Sequence, residues 1–122
     1  MKNNKGADTM LNKAKDFLTV YNDLLFIDKN TFKKDLAYGE KLELINRYLK
    51  VSTAMALMYH HERKTPKSCA KYSNSFNFFL ENLSNKEKDD NKKDLNNIKD
   101  NFKYVLYGGV PSEALINIIK SN

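Results

Sequence analysis

The chain has 122 residues, of which 41% are hydrophobic, and a formal net charge of +6, so it is long enough to form one independently folding domain. Its single cysteine excludes an internal disulfide and any zinc site built from several cysteines. No apolar run reaches the roughly 18 residues that a membrane span needs, and no apolar segment follows the basic start of the chain as in a secretory signal. We therefore expect a cytoplasmic protein with no membrane partner.

The first half of the chain predicts three helices of unequal length. Apolar residues recur at three- and four-residue steps over residues 9–26, the pattern of one amphipathic helix, and residues 1–7 before it are expected to be frayed. Residues 27–39 are interpreted as a turn and a short helix that Thr31 could cap. The third helix spans about 40–64, and its two adjacent apolar stripes indicate a central position with neighbours on more than one side.

A break at Lys64-Thr65-Pro66 separates the third helix from the fourth. Proline is favoured at the first position of a helix, so Thr65 is predicted to be the N-cap of a helix over residues 66–83. Ser84 to Glu87 then has the form of a capping box. Because residues 85–94 are almost wholly charged, they are predicted to form either an exposed helical turn or a mobile loop.

Two further helices complete the predicted fold. Apolar residues with helical spacing return over residues 95–106, Gly108 and its neighbour end that helix, and a last helix covers about 111–120. The glycines and prolines fall at the predicted breaks, which supports the helix assignment. Residues 1–122 are therefore predicted to form a single all-α domain, a compact bundle of five to six helices with a long central helix (about 40–64).

Few residues could carry chemistry. His60 and His61 are adjacent on a helix and point about 100° apart, so they do not match the i, i+4 spacing of metal-binding helices. Cys69 near a helix N-terminus could be an activated thiol, with a histidine across the turn. However, it shares an inward stripe with Tyr72 and Phe76, which favours a small buried residue. We expect no enzymatic activity, no cofactor and no metal.

Positive charge is concentrated in one segment of the chain. Residues 47–71 contain a single acid, Glu62, and six basic residues, so the segment carries +5 of the total +6: Arg47, Lys50, Arg63, Lys64, Lys67 and Lys71. Cations suit the C-terminus of a helix, which accounts for Arg63 and Lys64. Lys67 and Lys71 have no such explanation, because they fall in the first turns of the next predicted helix and oppose its dipole.

These residues define a candidate nucleic-acid or anion site at the predicted turn. Ammonium groups, hydroxyls and free backbone N–H groups would converge there, and its members are Arg63, Lys64, Thr65, Lys67, Ser68 and Lys71. The alternative is a solvated basic turn in a lysine-rich protein. Four tyrosines near element ends could be partly exposed and stack on bases: Tyr38, Tyr72, Tyr104 and Tyr107.

Two classes of function remain open from the sequence. The leading hypothesis is a non-catalytic nucleic-acid-binding protein, or a small helical subunit of a nucleoprotein complex, that contacts phosphates with little sequence readout. The second is a protein-interaction module from a phage, plasmid or bacteriocin system, such as an immunity protein or inhibitor, that binds an acidic partner surface. The wide apolar arc of the third helix also allows a homodimer.

Overall fold

Helix α2 runs through the middle of the structure, a computed structural model that describes residues 20–121. It spans Tyr38–Glu62 and buries Leu44, Tyr48, Val51 and Met55 on its inner face. Around it lie α1 (residues 20–30), α3 (Cys69–Glu81), α4 (Asn85–Asp90), α5 (Lys92–Tyr107) and α6 (Glu113–Ser121). Residues 20–121 contain no strand, so the predicted all-α compact bundle with a long central helix is confirmed. The predicted frayed segment, residues 1–7, lies outside the described residues.

An aromatic cluster between α2 and α3 forms part of the core. The ring of Tyr48 packs edge-on against Phe76 at 5.2 Å and stacks on Phe79 at 5.8 Å. Its hydroxyl bonds the Thr31 hydroxyl at 2.8 Å, and burial raises the pKa of Tyr48. α5 packs more extensively on α2 than any other element that these contacts describe, and it also contacts α3, α4 and α6.

The prediction of a short helix within residues 27–39 is wrong. α1 continues to residue 30, and residues 31–37 form a turn and an extended connection to α2. The hydroxyl of Thr31, predicted to cap a helix, hydrogen-bonds the buried Tyr48 hydroxyl instead, and Phe32 beside it is 59% exposed. A hydrogen bond to a residue distant along the chain has therefore taken the place of a local helix cap.

The charged segment 85–94 is helical rather than a mobile loop. The predicted capping box is present: the Ser84 hydroxyl accepts from the Glu87 N–H at 3.1 Å, and the Glu87 carboxylate accepts from the Ser84 N–H at 2.9 Å. Lys41 on α2 forms a salt bridge to Glu87 at 3.1 Å. These contacts lower the pKa of Glu87, the backbone hydrogen bond of Ser84 most strongly and Lys41 next.

A buried polar network joins α2, α5 and α6. The Asn101 side chain is fully buried, and its amide nitrogen donates to the hydroxyls of Ser52 and Thr53, both at 3.1 Å. Its oxygen accepts from the Ser112 hydroxyl. Ser112 in turn accepts from the N–H of Leu115 at 3.1 Å, as the capping side chain at the start of α6. One asparagine therefore fixes the position of the last helix against the central one.

The surface of the bundle keeps some apolar side chains exposed. Leu42 and Met58, placed by their spacing on the apolar arc of the central helix, are both more than a third exposed on α2. The homodimer that this arc allows stays a prediction. Among residues 20–121, no helix combines the length and apolar character needed to cross a bilayer.

Candidate nucleic-acid interface

The connection between α2 and α3, residues 63–68, is called the basic turn below. α2 ends at Glu62, and α3 begins at Cys69, three residues later than Pro66. The prediction that Thr65 is the N-cap of this helix is therefore wrong. Its hydroxyl donates to the backbone carbonyl of Val105 on α5 at 3.1 Å, which anchors the basic turn to the end of α5.

Arg63 ends the central helix in a left-handed conformation, with φ of 55°. Its N–H donates to the carbonyl of Tyr59 at 2.8 Å, and its guanidinium lies 5.7 Å from the centre of the Tyr59 ring. A guanidinium nitrogen also lies 3.5 Å from the Tyr104 hydroxyl. A non-glycine residue is uncommon in this region of φ. Arg63 contacts its own helix α2 through Tyr59 and the neighbouring α5 through Tyr104, and it remains exposed to solvent.

Lys64 and Lys67 are the two lysines of the basic turn. Both are exposed, and within residues 20–121 neither forms a salt bridge. Ser68 is half-buried and occupies the N-cap position of α3 without a capping side-chain hydrogen bond. The first turn of α3 contains no acidic residue, so no carboxylate of that turn offsets the two ammonium groups.

Lys71 differs from the other predicted site residues. Its ammonium lies 3.6 Å from the Asp28 carboxylate on α1 and 5.1 Å from the centre of the Tyr72 ring. Asp28 also accepts a hydrogen bond from the Tyr72 hydroxyl at 3.2 Å, and burial raises the pKa of Tyr72 to about 12. Asp28 therefore partly offsets the charge of Lys71, which lies on α3, whereas Lys67 lies in the turn before that helix.

Arg47 is a structural residue rather than a second basic patch. Its guanidinium binds the fully buried Asp23 at 2.7 Å and Glu43 at 2.8 Å, and it lies 4.9 Å from the centre of the Phe26 ring. The hydrogen bond to Asp23 is the largest cause of its raised pKa. Of the basic residues in segment 47–71, those exposed without a salt bridge to residues 20–121 are therefore the cations of the basic turn and Lys50 on α2.

The residues considered for chemistry are held in structural contacts. Cys69 is fully buried, and burial raises the pKa of its thiol to about 11, so it is not a reactive thiolate at neutral pH. The Nδ1 atom of His60 lies 3.1 Å from the Tyr104 hydroxyl. Residues 20–121 contain no group of three or more side chains that could hold a metal ion.

An exposed aromatic side chain lies at the end of α5, the helix to which the basic turn is anchored. Tyr107 is 79% exposed on the last turn of α5, two residues beyond the Val105 carbonyl that holds Thr65. Lys99 and Lys103 precede it at four-residue spacing, and both are exposed. Of the four tyrosines expected to be partly exposed, Tyr107 and Tyr38 are, whereas the other two are buried: Tyr72 and Tyr104.

No protein-family model, curated protein or solved structure matches this chain. Sequence reasoning missed Asp28 and Asp23, which form salt bridges with Lys71 and Arg47, because both lie far away along the chain. The four-residue spacing of Lys99, Lys103 and Tyr107 could have predicted that they share one helix face.

Proposed function

We propose that the protein is a non-catalytic nucleic-acid-binding subunit that contacts the sugar–phosphate backbone through the basic turn. The observation that carries the proposal is the exposure of Arg63, Lys64 and Lys67 with no salt bridge to any of residues 20–121. Three cations on one short connection suit phosphates spaced along a strand. Lys71 contributes less, because Asp28 already offsets its charge.

A single strand is the ligand that this surface fits best. Tyr107 offers a ring face on which an unpaired base can stack, and such stacking tolerates any base. Lys103 adds an exposed cation one turn before Tyr107 on α5, although the exposed Asp100 lies beside it. The inward face of α3 is filled by core residues such as Phe76 and Phe79, which leaves few side chains to read a duplex groove.

The test is a binding measurement with fluorescently labelled single-stranded RNA, single-stranded DNA and duplex DNA at ~50 mM salt. We expect the single strands to bind more tightly than the duplex, with little dependence on base sequence. Each lost phosphate contact should weaken single-strand binding about eightfold at this salt, from the slope of about 0.7 per phosphate. The double variant Lys64→Ala with Lys67→Ala should therefore bind some tens of times more weakly than the wild-type chain.

The matched control is the double variant Lys33→Ala with Lys34→Ala. Both lysines are exposed in the α1–α2 connection, so this variant loses the same charge on a different surface. It should bind like the wild-type chain. The proposal fails if the wild-type chain binds none of the three nucleic acids, or if both double variants lose affinity equally.

A protein-interaction module is the second candidate, and one surface feature favours it. Phe32 and Phe78 are both exposed, at 59% and 43%, and their rings pack with centroids 4.9 Å apart. Exposed aromatic pairs are common at protein interfaces. A stoichiometric protein partner that survives nuclease treatment, and that Phe32→Ser releases, would support this function in place of nucleic-acid binding.

A further inference from the structure

A small pocket of about 200 Å³ lies where α3, α4 and α5 meet, and no residue of the basic turn lines it. Its apolar part is formed by Leu80 of α3, which is half-buried, and by Leu95 of α5, which is buried. The helices α4 and α5 supply the polar side chains: Lys88, Asp89, Lys92, Asn96 and Lys99. Sites for drug-sized ligands occupy about 300–1,000 Å³, so this pocket fits a smaller ligand or one end of a larger one.

The charge of this pocket, called the lysine pocket below, is strongly positive for its size. Lys88, Lys92 and Lys99 line it, and within residues 20–121 none of the three forms a salt bridge. Asp89 is the one carboxylate among the described lining residues, so three lysines and one aspartate give a net charge of +2. Three ammonium groups around so small a space repel one another, and an anion placed between them offsets that repulsion.

The carboxylate that precedes Lys88 along the chain is engaged in other contacts. Glu87 accepts a hydrogen bond from the Ser84 N–H at 2.9 Å and forms a salt bridge with Lys41 of α2 at 3.1 Å. These contacts hold α4 against α2, and Lys88 is half-buried in the last turn of α4. The fold therefore fixes the backbone at Lys88 while leaving its ammonium group without the neighbouring acid as a partner.

The side of the pocket that α5 forms is built from one face of that helix. Lys92 is the first residue of α5, and Asn96 and Lys99 follow it at steps of four and three residues. Residues at these steps share a helix face. The amide group of Asn96 therefore adds N–H donors between two ammonium groups, and oxygen atoms of an anion accept hydrogen bonds from both kinds of donor.

We propose that the lysine pocket binds a phosphomonoester group. Such a group carries about −1.5 to −2 at pH 7, which matches the charge of the pocket, whereas an internal phosphate of a nucleic acid carries about −1. The group belongs either to a free phosphorylated small molecule or to the 5′ end of a single strand. The strand end is included because Lys99, Lys103 and Tyr107 share one face of α5. The proposal does not depend on the proposed function, since the basic turn takes no part in the pocket.

The test is a titration of the full chain, labelled with nitrogen-15, with adenosine 5′-monophosphate at ~50 mM salt. We expect saturable shifts of the backbone amide signals of Asn96 and Lys99, and no such shifts with adenosine, which lacks the phosphate. The monomethyl ester of adenosine 5′-monophosphate, with one charge fewer, should bind more weakly. Lys88→Gln with Lys99→Gln removes two charged donors and should weaken binding at least about tenfold.

The matched control is the double variant Lys86→Gln with Lys93→Gln. Both lysines are exposed, one on α4 and one on α5, and neither lines the pocket. This variant should bind adenosine 5′-monophosphate like the wild-type chain. The proposal is overturned if the nucleotide shifts neither amide signal, if adenosine shifts them equally, or if the two double variants lose affinity equally.

A comparison of two single-stranded RNAs, one with a 5′-phosphate and one with a 5′-hydroxyl, identifies the source of the group. A strand end as the ligand predicts at least about tenfold tighter binding of the phosphorylated strand, and Lys88→Gln with Lys99→Gln should remove that difference. Equal affinities for the two strands, with nucleotide binding retained, assign the pocket to a free phosphorylated small molecule. Lys64→Ala with Lys67→Ala should still bind the nucleotide, so failure of the basic turn and failure of the lysine pocket are separate results.

Discussion

Replacing Asn101 by alanine should destabilise the bundle more than its size suggests. The substitution removes three side-chain hydrogen bonds, to Ser52, Thr53 and Ser112, in a fully buried position. At about 1 kcal/mol for each net bond, and with three hydroxyls left to find new partners, we expect a loss of about 3 kcal/mol in the free energy of unfolding. For a chain of this length that lowers Tm by about 10 °C.

The assay is urea unfolding followed by far-ultraviolet circular dichroism, with Asn96→Ala as the matched control. Asn96 is exposed on the same helix, so it reports the gain in helix propensity from the same substitution. The difference between the two variants isolates the buried network. A difference smaller than about 1 kcal/mol would mean that these hydrogen bonds do not hold α6 to the core.

Three further predictions follow from particular contacts. Gly108→Ala should destabilise the chain by about 1–2 kcal/mol, because φ is +66° there and the new Cβ would lie 3.2 Å from the Tyr59 hydroxyl; Gly109→Ala, in open space, is the control, and equal unfolding midpoints would contradict the reasoning. Glu87→Gln should lower stability at neutral pH, because the contacts of the folded state lower the pKa of Glu87. The stability that the ionised carboxylate adds is fully present above the ordinary carboxyl pKa. That deficit should vanish as pH falls through the lowered pKa, and a deficit constant with pH in thermal melts would count against it. Lys71→Ala should weaken single-strand binding less than Lys67→Ala does, because Asp28 already offsets part of the charge of Lys71; a larger loss for Lys71→Ala would contradict that reasoning.

Helix positions could be predicted from the sequence because local patterns determine them. The apolar stripe of α2 and the left-handed Gly108 at the end of α5 both appear where spacing and residue type indicate. The capping box at Ser84 is equally local, since all its atoms lie within four residues. Such features need no knowledge of tertiary structure.

The start of α3 and the roles of the polar residues could not be predicted in this way. Thr65 has the preference of an N-cap, yet its hydroxyl bonds a carbonyl forty residues away on α5. Lys71 and Asp28 are likewise distant along the chain. Asn101 looks like a polar interruption of an apolar stripe, and only the packing of three helices gives it partners. Long-range contacts decide which candidate site residues remain exposed.

The salt dependence of single-strand binding tests the role of the basic turn most directly. The logarithm of the binding constant should fall linearly with the logarithm of the salt concentration. In Lys64→Ala with Lys67→Ala the slope should be shallower by about 1.4, which is about 0.7 for each of two lost phosphate contacts. Lys33→Ala with Lys34→Ala should keep the wild-type slope. Identical slopes in all three chains would contradict phosphate binding by the basic turn.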